Sequence, residues 1–170
     1  MKKILFAVIG ALLLSGCATS EQANSEFSPS DINFAEMMIP HHEQAIEMSE
    51  IASLNTTNPE ILKLADEIKG AQAPEIELMK SWSGVKSSTH AGHMMDGMLS
   101  EDELNELREA KGEDFDSLFL KGMIKHHEGA IKMAEDVVAS ENKVVADLAA
   151  SIIKAQKLEI SMMSGMLNPA

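Results

Sequence analysis

The sequence predicts an all-α fold, a four-helix bundle built from two duplicated helical hairpins with a short extra helix in the crossover between them. Residues 38–48 and 123–133 both read Met-Ile-x-His-His-Glu-x-Ala-Ile-x-Met. Apolar residues around them recur at steps of three and four, which is the spacing of one helix face. A second repeated series has the same intervals in both halves: Leu64, Ile68, Gln72, Ile76 and Met79, then Leu148, Ile152, Gln156, Ile160 and Met163. Two such hairpins are expected to pack about a pseudo-two-fold axis.

Residues 1–16 are expected to be a lipoprotein signal peptide. Lys2 and Lys3 precede an apolar run that is too short to span a bilayer as a mature helix. The Leu-Ser-Gly-Cys that follows resembles the bacterial lipobox and makes Cys17, the only cysteine, the expected lipidation site. Ala18 after it favours the periplasmic face of the outer membrane if the source is Gram-negative. A plain signal peptide with an incidental cysteine is the alternative.

Residues 17–30 are small and polar, and they are expected to form the lipidated N-terminus and a flexible tether. The domain should then occupy residues 31–167. Its first helix is predicted over residues 31–54, with Ser30 or Asp31 as N-cap. Pro40 predicts a kink beside the histidines, because proline removes a backbone hydrogen bond inside a helix.

The second helix is predicted over residues 59–82, with Asn58 as N-cap, Pro59 at the first helical position and a bend at Pro74. Residues 83–99 should be a loop. The remaining elements are a short helix that starts with the Ser100–Glu103 capping box and ends near Ala110, a helix over 113–140 and a helix over 142–167.

The composition narrows the classes of function. The net charge of -13 becomes -15 without Lys2 and Lys3, and so acidic a chain is not expected to bind nucleic acid. The sequence has no nucleophile–base pair and no phosphate-binding loop, so a binding protein is expected rather than an enzyme. With no cysteine left after lipidation, thiolate ligands are excluded, whereas methionine thioethers survive an oxidising compartment.

The repeated segments indicate a metal site inside the bundle. Imidazole and thioether together favour copper, above all Cu(I), with Cu(II) also possible. We expect His41 and His126 to point inward, and His42 and His127 to lie at the rim or act as second ligands. Ordinary core packing is the alternative for an inward histidine or methionine. The predicted donors in the repeats are Met38, His41, His42, Met48, Met123, His126, His127 and Met133.

The predicted loop carries a second candidate cluster. Short tracts rich in histidine and methionine can gather soft donors round one ion, although an ordinary flexible crossover is also possible. The candidate ligands there are His90, His93, Met94, Met95 and Met98.

Several polar residues could orient the ligands by hydrogen bonding to imidazole. Gln72 and Gln156 should project into the same layer, and Glu43 and Glu128 follow each doublet. For these two glutamates a solvated surface position is the alternative. Glu75 and Glu159, three residues after the glutamines, fit either a surface salt bridge or a carboxylate beside the ligands.

These repeats, each followed by Gln-x-x-Glu-Ile-x-x-Met, resemble the domain of unknown function 305 family over nearly all of residues 31–167. The resemblance implies a ferritin-like four-helix bundle and a family that includes exported copper-binding proteins.

The leading hypothesis is therefore an exported copper-binding lipoprotein that acts in copper tolerance, sequestration or delivery, with a copper-handling protein as a possible partner. A metal-independent, lipid-tethered envelope interaction protein is the alternative. A ferritin-like di-iron oxidase is a weaker one, because such sites use Glu-x-x-His pairs and the sequence has none. Zinc held by histidine and carboxylate would leave the methionines unexplained.

Overall fold

The computed structural model describes residues 26–86 and 95–168, and every regular element within those ranges is a helix. The helices are α1 (Pro29–Asn55), α2 (Pro59–Lys80), α3 (Glu101–Glu109), α4 (Gly112–Glu135) and α5 (Lys143–Leu167). The predicted all-α fold is confirmed. The predicted sites at Cys17, His90, His93 and Met94 lie outside the described residues.

Helix α1 begins earlier than predicted, because Ser28, and neither Ser30 nor Asp31, is its N-cap. The Ser28 hydroxyl accepts a hydrogen bond from the Asp31 backbone N–H at 3.2 Å, and the Asp31 carboxylate accepts one from the Ser28 N–H at 2.8 Å. This reciprocal capping box, with Pro29 at the first helical position, satisfies two otherwise unpaired donors. The helix continues through Pro40.

Other helix ends follow the sequence signals. Asn58 caps α2 with Pro59 after it, and the side chain of Ser100 accepts from the Glu103 N–H at the start of α3. These two predicted caps are confirmed.

Helix α4 ends at Glu135, so the prediction that it runs to residue 140 is wrong. Beyond it the chain makes tighter turns, in which the N–H of Val137 bonds the carbonyl of Ala134 at 3.2 Å and that of Ser140 bonds Val137 at 2.9 Å. The Ser140 hydroxyl donates to the Asp31 carboxylate at 2.8 Å. The chain therefore leaves the helix where it makes a tertiary contact with the start of α1.

Helices α1 and α2 form one hairpin and α4 and α5 the other, while α1 packs on α4 and the short α3 lies against both. Their buried apolar side chains form two clusters. The first contains Met38 of α1 and Met133 of α4, and the second contains Met48 of α1 and Met123 of α4. The two histidine doublets lie between these positions in the chain, so a polar layer separates the two halves of the core.

In the described part of the chain, no helix combines the length and the apolar character that crossing a bilayer requires.

Candidate metal centre

The polar layer contains both histidine doublets. His41 and His42 of α1 and His126 and His127 of α4 all have 0% solvent exposure. Because Met38 shares a cluster with Met133, and Met48 with Met123, the two repeated segments cross in opposite directions. The histidines therefore meet at the centre of the crossing.

His41 and His126 are in direct contact, with ring centroids 3.8 Å apart and ring planes inclined by 41°. Within each doublet the centroids are 6.5 Å and 6.4 Å apart. The structure thus brings both halves of the duplication together at one place, with the inward orientation that the sequence indicates for these two residues.

His42 and His127 are also buried, so the rim position expected for them is wrong. Successive residues of a helix point about 100° apart, and the second histidine of each doublet is directed at the other helix of its own hairpin. Nε2 of His42 lies 2.9 Å from Oε2 of Glu75, and Nε2 of His127 lies 2.6 Å from Oε2 of Glu159. Of the two interpretations of these glutamates, a carboxylate that contacts the histidines of the doublets agrees with the geometry, and a surface salt bridge does not.

Glu43 and Glu128 do not have the orienting position predicted for them. Both are exposed, and Glu43 forms an ion pair with Lys80 at 3.0 Å. Each follows its doublet by one residue, which turns its side chain away from the layer. The repeated Gln-x-x-Glu spacing in α2 and α5 is the sequence signal for the contacting carboxylates, although the spacing alone left a surface salt bridge equally open.

Burial keeps the two central imidazoles neutral. Desolvation lowers the pKa of His41 from 6.5 to about 3, with a further lowering from the neighbouring His42 and a partial opposing effect from the hydrogen bond to the Asp96 carbonyl. Desolvation, followed by the effect of His41, also places the pKa of His126 well below its usual value. A neutral imidazole keeps a lone pair that can bind a metal.

Several buried polar atoms in this layer have no hydrogen-bond partner, although buried polar groups are nearly always paired. Gln72 and Gln156, which are buried on α2 and α5, lie between residues of the two apolar clusters and so at the level of the histidines. The unpaired atoms are Nδ1 of His41, His42, His126 and His127, Nε2 of His126, both amide atoms of Gln72 and Oε1 of Gln156. The imidazole nitrogens and amide oxygens in this set include several acceptors without a donor, which fits a bound cation.

Thioethers lie on both sides of the imidazoles. Met38 and Met123 each precede a doublet by about one helical turn, and both are fully buried. Met48 is fully buried too, and Met133 is 8% exposed. The donor set around the layer therefore combines neutral nitrogen with soft sulfur, which is suited to copper.

No group of three or more His, Cys, Asp or Glu side chains within residues 26–86 and 95–168 is arranged to hold a metal ion. The two glutamates that reach the layer each contact a different histidine.

The end of the crossover loop covers His41. Its Nε2 lies 3.2 Å from the carbonyl oxygen of Asp96, and the Asp96 carboxylate pairs with Lys132. The side-chain amide of Gln44 binds the backbone of Leu99 through both its ends, at 2.8 Å and 3.0 Å. Of the loop donors predicted from the sequence, Met95 and Met98 are described here, and both are partly buried.

The family model described as domain of unknown function (DUF305) matches residues 31–167. A DUF305 protein from Streptomyces coelicolor superposes with a TM-score of 0.73 at 31% identity, covering 81% of this chain and 91% of that one. A DUF305 fragment from Deinococcus radiodurans gives a TM-score of 0.76 at 26% identity, covering 85% and 99%.

CopM in its Cu(II)-bound form is also similar, with a TM-score of 0.69, 35% identity and coverage of 81% of this chain and 95% of that one. CopM has also been solved in Cu(I)-bound, Ag-bound and apo forms. No curated protein matches the chain significantly.

Proposed function

Given that the chain belongs to the DUF305 family, we propose that it is an exported copper-binding protein that holds the ion with histidine and methionine side chains. The observation that carries the proposal is the buried layer in which His41 and His126 touch while their Nδ1 atoms have no partner. The similarity to CopM, solved with copper and with silver, supports the same conclusion.

The chemistry of the donors favours Cu(I). Thioethers are soft ligands that bind monovalent copper better than hard divalent ions. Imidazole nitrogen, kept neutral by burial at His41 and His126, suits both oxidation states. A layer with sulfur on both sides of nitrogen therefore binds Cu(I) most tightly and accepts Cu(II) more weakly.

The expected lipoprotein signal supports a position outside the cytoplasm for this activity. A lipid on Cys17 and a tether to residue 30 would hold the domain at a membrane, on the periplasmic face of the outer membrane if the source is Gram-negative. There the protein would bind copper for tolerance, sequestration or delivery to a copper-handling partner. The role is one of binding and not of catalysis.

An anaerobic titration of residues 18–170 with Cu(I), against a competing chelator, tests the proposal. The wild-type protein should bind Cu(I) more tightly than Cu(II) or Zn(II), and Ag(I) should compete. The variant His41→Ala/His126→Ala should lose about tenfold or more in Cu(I) affinity while circular dichroism shows an intact bundle.

The matched control is Glu43→Gln/Glu128→Gln, which alters the exposed neighbours of both doublets and should bind copper like the wild-type protein. Equal affinity and stoichiometry in the histidine variant and the control would rule out the layer as the copper site.

A further inference from the structure

Both halves of the duplication pair the second histidine of the doublet with a carboxylate of the neighbouring helix. Nε2 of His42 contacts Glu75 at 2.9 Å, and Nε2 of His127 contacts Glu159 at 2.6 Å. The same ring atom is used in both pairs. The two copies differ elsewhere, as at Pro40 and Lys125, so the shared contact is a common feature of the two halves and not of one local environment.

The acceptor decides which ring nitrogen carries the proton. An ionised carboxylate can only accept a hydrogen bond, so Nε2 of each imidazole must be the donor. In a neutral ring the other nitrogen, Nδ1, then has a free lone pair. In both histidines Nδ1 is buried and has no hydrogen-bond partner, and a proton there would be an unsatisfied buried donor.

The two members of each pair differ in solvent exposure. The side chains of Glu75 and Glu159 are 20% and 16% exposed, whereas both imidazoles are 0% exposed. The carboxylates therefore lie on the solvent side of the rings.

A different acceptor favours the same Nε2–H tautomer at His41. The Asp96 carbonyl, which can only accept, lies 3.2 Å from Nε2 of His41, and Nδ1 of His41 is again unpaired. Only His126 has no partner on either nitrogen among the contacts of the described residues. Three rings of four thus present Nδ1 for binding.

We infer that Glu75 and Glu159 are positioning residues that fix His42 and His127 as Nε2–H tautomers, so that copper is bound through Nδ1. The inference rests on the proposed copper site and adds to it the ligating atom and the residues that select it. Carboxylates beside ligating histidines also make the ring a stronger donor, and removing them commonly weakens metal binding by about 10–100-fold.

Side-chain nitrogen NMR of the apo protein tests the positioning role without metal. Long-range proton–nitrogen correlations should show a protonated Nε2 and an unprotonated Nδ1 for His42 and His127. The variant Glu75→Ala/Glu159→Ala should give a mixture of tautomers and a Cu(I) affinity lower by about 10–100-fold. Glu75→Gln/Glu159→Gln keeps an oxygen acceptor and should restore most of both properties.

The control is Glu43→Ala/Glu128→Ala, which removes carboxylates that follow the same doublets but face solvent. It should leave tautomers and affinity unchanged. If the alanine variant at 75 and 159 does not fold, the wild-type tautomers and the glutamine variant still decide the question.

Copper addition then tests the ligating atom. In the wild-type protein Ag(I) or Cu(I) should shift the Nδ1 resonances of His42 and His127 and leave their Nε2 protons in place. A protonated Nδ1 in the apo protein, or metal bound at Nε2, would overturn the inference. Histidine resonances that do not respond to metal would refute the proposed copper site and ligation by Nδ1, while the apo tautomers would still show whether the glutamates position the rings.

Discussion

The two central imidazoles determine how the apo protein responds to acid. His41 has a pKa of about 3 in the folded protein and His126 one well below 6.5, both chiefly because burial disfavours the charged ring. An unfolded chain would protonate both near 6.5. Between these values the unfolded state binds more protons than the folded state, so the free energy of unfolding falls as the pH falls.

We therefore predict that the apo protein loses stability between pH 7 and pH 5.5, by on the order of 1 kcal/mol for each of the two histidines. Urea unfolding at a series of pH values measures this loss. The variant His41→Ala/His126→Ala should show a smaller dependence on pH in the same window. Stability that stays constant to pH 5.5 in the wild-type protein would contradict the buried, neutral state of these rings.

The low pKa of His41 also changes the pH at which the protein is expected to lose metal. Free imidazole would lose metal as the pH falls through about 6.5, because a protonated ring cannot bind. Burial lowers the pKa of His41 and His126, so protons should compete with metal at these two imidazoles only at a lower pH.

Among the structural elements, the crossover loop packs against α1 and α4 at a position where the two repeats have different residues. Gln44 of α1 binds the Leu99 backbone, and the corresponding residue of α4 is Gly129. A Cβ on Gly129 would lie 1.9 Å from the Asp96 carbonyl oxygen and 2.9 Å from Cα of Gly97. The α1 copy of the repeat thus hydrogen-bonds the loop through Gln44, whereas the α4 copy has a glycine, without a side chain, where the loop packs against it.

Gly129→Ala is accordingly expected to displace residues 96–97 and break the contact between Asp96 and His41. Although alanine favours helix by about 1 kcal/mol over glycine, the net effect should be a loss of about 1–3 kcal/mol in unfolding free energy. Thermal or urea unfolding measures it.

The matched control is Gly70→Ala in α2, where a Cβ would meet nothing within 4 Å. This variant should be as stable as the wild-type protein or more stable by up to about 1 kcal/mol. Equal gains in the two variants would show that the loop does not lie against α4 as described.

For the whole molecule, the duplication made most of the fold predictable. Helix periodicity and strong caps such as Asn58 and Ser100 depend on neighbouring residues, so the sequence alone locates them. The inward direction of His41 and His126 follows from the same periodicity. The family and the all-α fold are likewise confirmed.

Contacts between distant segments could not be predicted in this way. The burial of His42 depends on how closely α2 approaches α1, and the early end of α4 is accompanied by a contact between Ser140 and Asp31. The acceptor on His41 is a backbone carbonyl, which no side-chain pattern reveals. Such features arise only when the two hairpins and the crossover are packed together.

We propose that nitrogen and sulfur from both halves of the chain bind one soft ion. X-ray absorption at the copper edge, with one Cu(I) per chain under anaerobic conditions, tests it most directly. The spectrum should show both nitrogen and sulfur neighbours in the wild-type protein, and Met38→Leu/Met123→Leu should lose sulfur while keeping the fold, since this exchange nearly conserves volume. The buried Met163 gives the control Met163→Leu, which should match the wild-type protein. A shell of nitrogen and oxygen alone in the wild-type protein, or sulfur that stays unchanged when Met48 and Met133 are replaced by Leu as well, would show that the methionines of the repeats do not bind the ion.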